Sequence, residues 1–246
     1  MQRILLIITL GVFLGCSADE IPDPFSVSNL EFEYVPLEIG DERLFIVDSI
    51  IFDQFNGNYI SDTSTFFLRE VLAEVVEIDN RSMTATDLYK SESTSGPWTF
   101  YKRQYEWIDL NAYHRMDNNL ELTLFAFPPR LGKSWAPVSL INANVGIPIG
   151  PNYVNVYNKW SEAYMIDFLD SLEVNDHWVD SIYMVELVNS ESLVDIRFEQ
   201  YFYAKHIGLV DRRVKMLDTQ DPSVNIDEFE DFAQAGYKLF QSRIIQ

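Results

Sequence analysis

Extended backbone over Ser181–Val188 would send Ile182, Met184, Glu186 and Val188 to one side and Tyr183, Val185 and Leu187 to the other. Both sides are largely apolar, so both faces of this strand require cover. The polar run Asn189–Ser192 then reads as a turn, and Leu193–Ala204 returns the chain as a hairpin. Asp117, Asn118 and Asn119 stand in the same way between two extended runs, and these residue types tolerate tight-turn geometry. With 14% aromatic residues, including 17 Phe and 13 Tyr, against only 10 Gly, the chain favours strands over disorder or a helical bundle. The expected fold class is mainly β and antiparallel, with few short helices.

Two segments carry mixed signals. Trp160, Tyr164, Phe168 and Leu172 recur every four residues, as on a helix, and Thr65–Asp79 sets helix formers beside β-branched and aromatic residues. The strands around them favour strand for both. Asn225–Phe232 suggests a short helical turn, and Gly236–Ile245 reads as a last strand. An internal echo links Val35–Phe45 with Pro128–Pro137: each has Pro, an aliphatic residue, Gly, a charge and a strand opening. A true repeat would make two similar β halves meeting near residue 128, while Pro and Gly marking turns ahead of strands account for the same pattern. Pro128–Asn152 is the longest irregular stretch, yet Val138, Leu140, Ile141, Val145, Ile147 and Ile149 are too many apolar residues for a solvated linker. It is expected to pack on the sheet or cover an opening, with Ile147 and Ile149 as its candidate binding residues.

The only cysteine, Cys16, ends the most apolar segment of the chain. Arg3 precedes an aliphatic and aromatic core at Ile4–Leu14, which is too short for a bilayer span of roughly 20 residues. With Gly15 before the cut and Cys16 as the acylated side chain, the segment resembles a bacterial lipoprotein signal peptide. That resemblance implies cleavage between Gly15 and Cys16, removal of residues 1–15, and a palmitate-type lipid anchor on Cys16. Ser17 stands where inner-membrane retention would require Asp, which favours the outer membrane. Asp19 and Glu20 resemble an acidic signal for the cell surface, as against the periplasmic face. Residues 16–30, with Pro22, Pro24 and three serines, read as a tether, leaving 31–246 as a single β-rich domain.

Charge narrows the function. Loss of Arg3 with the leader moves the formal net charge from −20 to −21. Such a surface repels nucleic-acid backbones and acidic headgroups, so the membrane partner must be reached through the lipid. With Cys16 acylated, no internal disulfide can form, and burial must hold the fold.

Trp178–Leu187, followed by Tyr201–Arg213, resembles a pattern in uncharacterised bacterial outer-envelope lipoproteins, where a strand pair ends in Tyr-Ala-x-Gly-Val-Gly-Leu-Val. Tyr203, Ala204, Ile207, Gly208, Leu209 and Val210 match, and His206 replaces the first Gly. The resemblance spans about residues 178–213, with Leu131–Trp135 as an earlier element. It implies an antiparallel sheet that is curved or half-barrel, and no known reaction.

A search for chemistry finds little. Gly132–Ser134 ends like a phosphate loop, but the Gly required five residues earlier is Phe127. His114, His177 and His206 lack zinc spacing, so no metal is expected. Asp167, Asp170 and Glu173, and likewise Asp227, Glu228, Glu230 and Asp231, arise readily in a chain with 38 acids. No catalytic residues and no cofactor are expected. Two functions follow: a non-enzymatic interaction module holding an outer-membrane protein partner, or a carrier of lipid or another apolar ligand in a half-barrel.

Overall fold

Four two-residue turns set the framework. Asn56–Gly57, Asp79–Asn80, Asn118–Asn119 and Asn175–Asp176 all have positive φ at both positions, the geometry that matches strand twist in a tight hairpin. The computed structural model describes residues 31–246 except 139–141, 143, 222, 223, 225–227 and 246. The leader, Cys16 and the tether lie outside the described residues, as do Leu140 and Ile141.

The strands are β1 (Glu42–Phe55), β2 (Asn58–Ile78), β3 (Arg81–Ser91), β4 (Thr99–Ile108), β5 (Ala112–Asp117), β6 (Leu120–Ala126), β7 (Ser134–Trp135), β8 (Ile147–Ile149), β9 (Asn152–Val154), β10 (Ala163–Val174), β11 (His177–Glu191), β12 (Asp195–Ala204), β13 (Gly208–Asp218) and β14 (Ala235–Arg243). Twelve form one antiparallel sheet in the order β6-β5-β4-β3-β2-β1-β14-β13-β12-β11-β10-β7, and β8 pairs with β9. The mixed segments are strands, as expected, although Trp160 precedes β10 and is buried in the core. Among the described residues the one helical element in the N-terminal segment is a single 3-10 turn, Phe32–Tyr34.

The sheet curls until its ends nearly meet. Register shifts interrupt six ladders, at Leu72/Glu74, Leu88/Tyr89, Tyr113/His114, Met165/Asp167, Glu186/Val188 and Phe202/Tyr203, and each such irregularity bends and twists its strand. At the seam, Trp135 Nε1 donates to the Thr123 carbonyl at 2.9 Å, and Thr123 N to the Pro137 carbonyl at 2.9 Å. The curved antiparallel sheet expected from sequence is therefore a nearly closed barrel. Two meanders compose it, β1–β6 and β10–β14, joined where β1 pairs with β14.

The main core lies inside, with Phe45, Val47, Leu124, Val185, Leu187 and Met216 buried. The opposite face carries two smaller clusters, around Ile182 and Phe202, and around Phe52 and Phe229. β11 is thus covered on both faces, as its alternation requires. The bulge at Leu187 puts Val188 into the main core, instead of on the side of Ile182 and Met184. The β11–β12 turn lies past Glu191, because Asn189–Glu191 remain paired to Phe198, Arg197 and Ile196 and the Ser192 hydroxyl takes hydrogen bonds from Val194 N and Asp195 N.

Two segments stop the barrel ends. At one, Phe32 meets Phe127 edge-on at 4.8 Å, Tyr34 stacks on Phe125, and His206 N donates to the Glu33 carbonyl at 2.8 Å. At the other, the β8–β9 hairpin leads into buried Val154, Val156 and Trp160, and Asn152 Nδ2 donates to Asp53 Oδ1 at 2.9 Å.

Candidate functional site

Ile147 and Ile149 are half-buried and pack against the main core from the β8–β9 hairpin. The irregular stretch is therefore seated on the sheet at the end where β1 finishes. Gly132–Ser134 form the turn into β7, and Lys133 Nζ donates to the carbonyls of Phe127 and Pro128, a capping role for the phosphate-loop look-alike. Gly40 and Gly132, the glycines of the internal echo, both adopt positive φ just before a strand. The histidines are apart: His114 stacks on Trp107 and bonds Asp109, His177 opens β11, and His206 turns β12 into β13. Among the described residues no three His, Cys, Asp or Glu side chains are grouped to hold a metal. Glu230 is paired with Lys215 and Lys238.

Sequence reading missed the charges inside the barrel. Glu106 is fully buried and its carboxylate takes five hydrogen bonds: from Arg43 Nη1 (3.2 Å), Thr86 Oγ1 (3.3 Å), Gln104 Nε2 (3.0 Å), Tyr113 OH (2.8 Å) and Arg115 Nε (3.2 Å). Arg43 also reaches Glu70, and its Nη2 donates to the Pro36 carbonyl at 2.7 Å, which binds the N-terminal stopper to the network. Burial alone would raise the Glu106 carboxyl, but the charges of Arg43 and Arg115 outweigh it and hold the group below the usual carboxylate range. A second network has Arg212 on Glu199 at 2.7 Å and Arg197 on the Asn155 carbonyl, Asn158 Oδ1 and Asp218. Arg197 thereby ties the opposite stopper to the wall. A cavity of about 150 Å³ beside the first network has charged and apolar lining in similar measure, with Glu70, Lys90 and Arg212 beside Phe66, Leu68 and Leu88. At that volume it suits water or a small group better than an acyl chain.

Tyr113, Tyr201 and Tyr203 are also inside, at 1%, 2% and 1% exposure, and burial holds all three phenols above their ordinary value near 10. A folded-state pKa above the unfolded one means stability complete below about pH 10 and lost as pH rises beyond it. Denaturant unfolding between pH 8 and 12 should show a loss from about pH 10 of roughly 4 kcal/mol per pH unit from these three groups together. A flat profile would show that they ionise inside the folded barrel.

A larger recess of about 360 Å³ lies at the N-terminal stopper, lined by Glu42, Arg69, Trp98, His206, Ile207 and Arg243 among others. The Arg69 guanidinium lies 4.7 Å from the Trp98 ring centroid and 5.2 Å from that of Tyr89, which fixes its plane. Its Nε is shielded from solvent without a hydrogen-bond partner, and its nearest carboxylate, Glu42, is 3.9 Å from Nη1. Arg243 Nη1 donates to the Ile207 carbonyl at 2.6 Å. Burial, and then the charge of Arg43, lowers the Arg243 pKa to about 10. Five separate chain segments meet here, so no short motif could have announced the site.

No protein-family profile matches the chain, and no curated protein sequence is similar to it. Two solved structures are similar to it. One, from Bacteroides fragilis and described as an exported protein with a YmcC-like fold, has 8% identity and a TM-score of 0.38 over 85% of this chain and 95% of its own. The other, from Parabacteroides distasonis and described as a lipoprotein, has 10% identity and a TM-score of 0.37 over 85% of this chain and 96% of its own.

Proposed function

We propose that the chain is an outer-membrane lipoprotein held by acyl groups on Cys16, and that its barrel is a non-enzymatic module that captures a partner at the envelope. The observation that carries this reading is how the ends of the barrel are used. The described chain begins at Glu31, beside the recess of Arg69 and Arg243, because Glu33 is hydrogen-bonded to His206. Residues 16–30, even fully extended, reach about 50 Å, so a lipid on Cys16 keeps this end within about 50 Å of the bilayer. The interior charges are committed to one another across the barrel, where they serve as struts. The small volume of the inner cavity, about 150 Å³, favours the module over an apolar-ligand carrier.

Replacing Cys16 with Ser should move the protein from the membrane fraction to the soluble fraction or leave it unprocessed. Retention of Cys16→Ser with the outer membrane in high salt would sink the anchor. Affinity capture of the acylated protein from solubilised outer membranes tests the module, which predicts a stoichiometric protein partner.

A further inference from the structure

We propose that the recess formed by Arg69, Arg243, Trp98 and His206 is a binding site for a phosphate group, carried by a lipid headgroup or by free phosphate. This deepens the module reading by giving its membrane-proximal end a ligand class. Arg243 is the key residue. It is half-buried and enters no ion pair among the described residues, whereas Arg43, Arg115, Arg197 and Arg212 each have a carboxylate. A half-buried guanidinium with no carboxylate at ion-pair distance is incompletely compensated, and an oxyanion supplies what is missing. Its lowered basicity records the same deficit: solvent is withdrawn and Arg43 adds like charge, with Glu70 and Asp41 only partly offsetting this.

Arg69 faces the same recess from another strand. Its plane is set by Tyr89 and Trp98, and its one carboxylate neighbour among the described ion pairs, Glu42, is 3.9 Å from Nη1. Held guanidinium groups with free donors match phosphate oxygens, which can take two parallel N–H bonds at once. Glu42 sits at the rim with its side chain 57% exposed, so it offsets part of the positive charge without filling the recess. In a protein of net charge −20, a recess holding two arginines against one carboxylate is a local reversal of sign. The lipid on Cys16 would bring this recess toward headgroups.

The test uses the full acylated chain in a non-ionic detergent and titrates it calorimetrically with inorganic phosphate and, separately, with dihexanoyl phosphatidic acid. Wild type should bind at least one probe, and Arg69→Gln and Arg243→Lys should each weaken binding about tenfold or more, the expected loss for a charged hydrogen bond. Arg81→Gln, which breaks an exposed pair with Glu121, should leave binding unchanged. Tighter capture of the lipid probe identifies a headgroup site, and equal capture identifies free phosphate; either supports the proposal. No heat with either probe, or unchanged affinity in both arginine variants with melting temperatures near wild type, overturns it. Membrane fractionation of Cys16→Ser is read independently, so a failed phosphate site and a failed anchor are told apart.

Discussion

Glu106→Ala should lower the unfolding free energy by about 3–5 kcal/mol, the range for removing one partner of a buried ion pair. Alanine takes away the acceptor of five hydrogen bonds and leaves Arg115 without its carboxylate and Arg43 with only the more distant Glu70 at 3.5 Å. Tyr113 loses the acceptor of its hydroxyl at the same time. The penalty comes mostly from stranded charge, since the pair itself contributes little net stability over an apolar filling. Denaturant titration at pH 7 reads the change. A loss under about 1 kcal/mol would mean that water or Glu70 compensates the two guanidinium groups.

Gly236→Ala should be comparably damaging. Gly236 pairs with Phe52 on one side and Leu217 on the other, at the join of the two meanders, with φ at +125°. A Cβ there would lie 1.9 Å from the Met216 carbonyl oxygen and 2.9 Å from Leu217 Cα, both backbone atoms that cannot step aside alone. Backbone strain of about 1–3 kcal/mol and overpacking of about 1–3 kcal/mol together give a loss near 3 kcal/mol or more. For a domain of this size that is a fall in melting temperature of roughly 6–12 °C. Gly57→Ala, in an open turn with nothing within 4 Å of the added carbon, should cost visibly less. Equal melting temperatures for the two variants would contradict the packing at Gly236.

Much of the wall was legible from residue pattern. Asn118–Asn119 proved a tight turn because few other residues accept positive φ twice in succession, and β11 and β14 followed from alternation. The turn after β11 was placed early because polar Asn189–Glu191 looked like a break, while their backbone continues the ladder. Closure of the barrel was less visible, since it depends on six local bulges and on a seam between Thr123 and Trp135. The interior network was hidden for a different reason. Arg43 is in phase with Phe45 and Val47, and Glu70 with Leu68, so each charge occupies an inward position; that phase was a readable signal. What it could not supply was the partner, because Arg43 and Glu106 are 63 residues apart. The recess is harder still, being assembled from β1, β2, the segment before β4, the β12–β13 turn and β14.

The outer edge of β10 gives the acidic run Asp167, Asp170 and Glu173 a different meaning. β7 covers this strand only at Ala163 and Tyr164, so beyond the seam β10 is a sheet edge among the described residues. Unpaired edges invite another chain to add a strand. Here the bulge at Met165/Asp167 spoils the flat template, the Phe168 amide is already taken by the Asp167 carboxylate at 2.8 Å, and like charges repel an incoming copy. These carboxylates thus act as a fence, which would keep neighbouring copies of the chain from zipping into fibres.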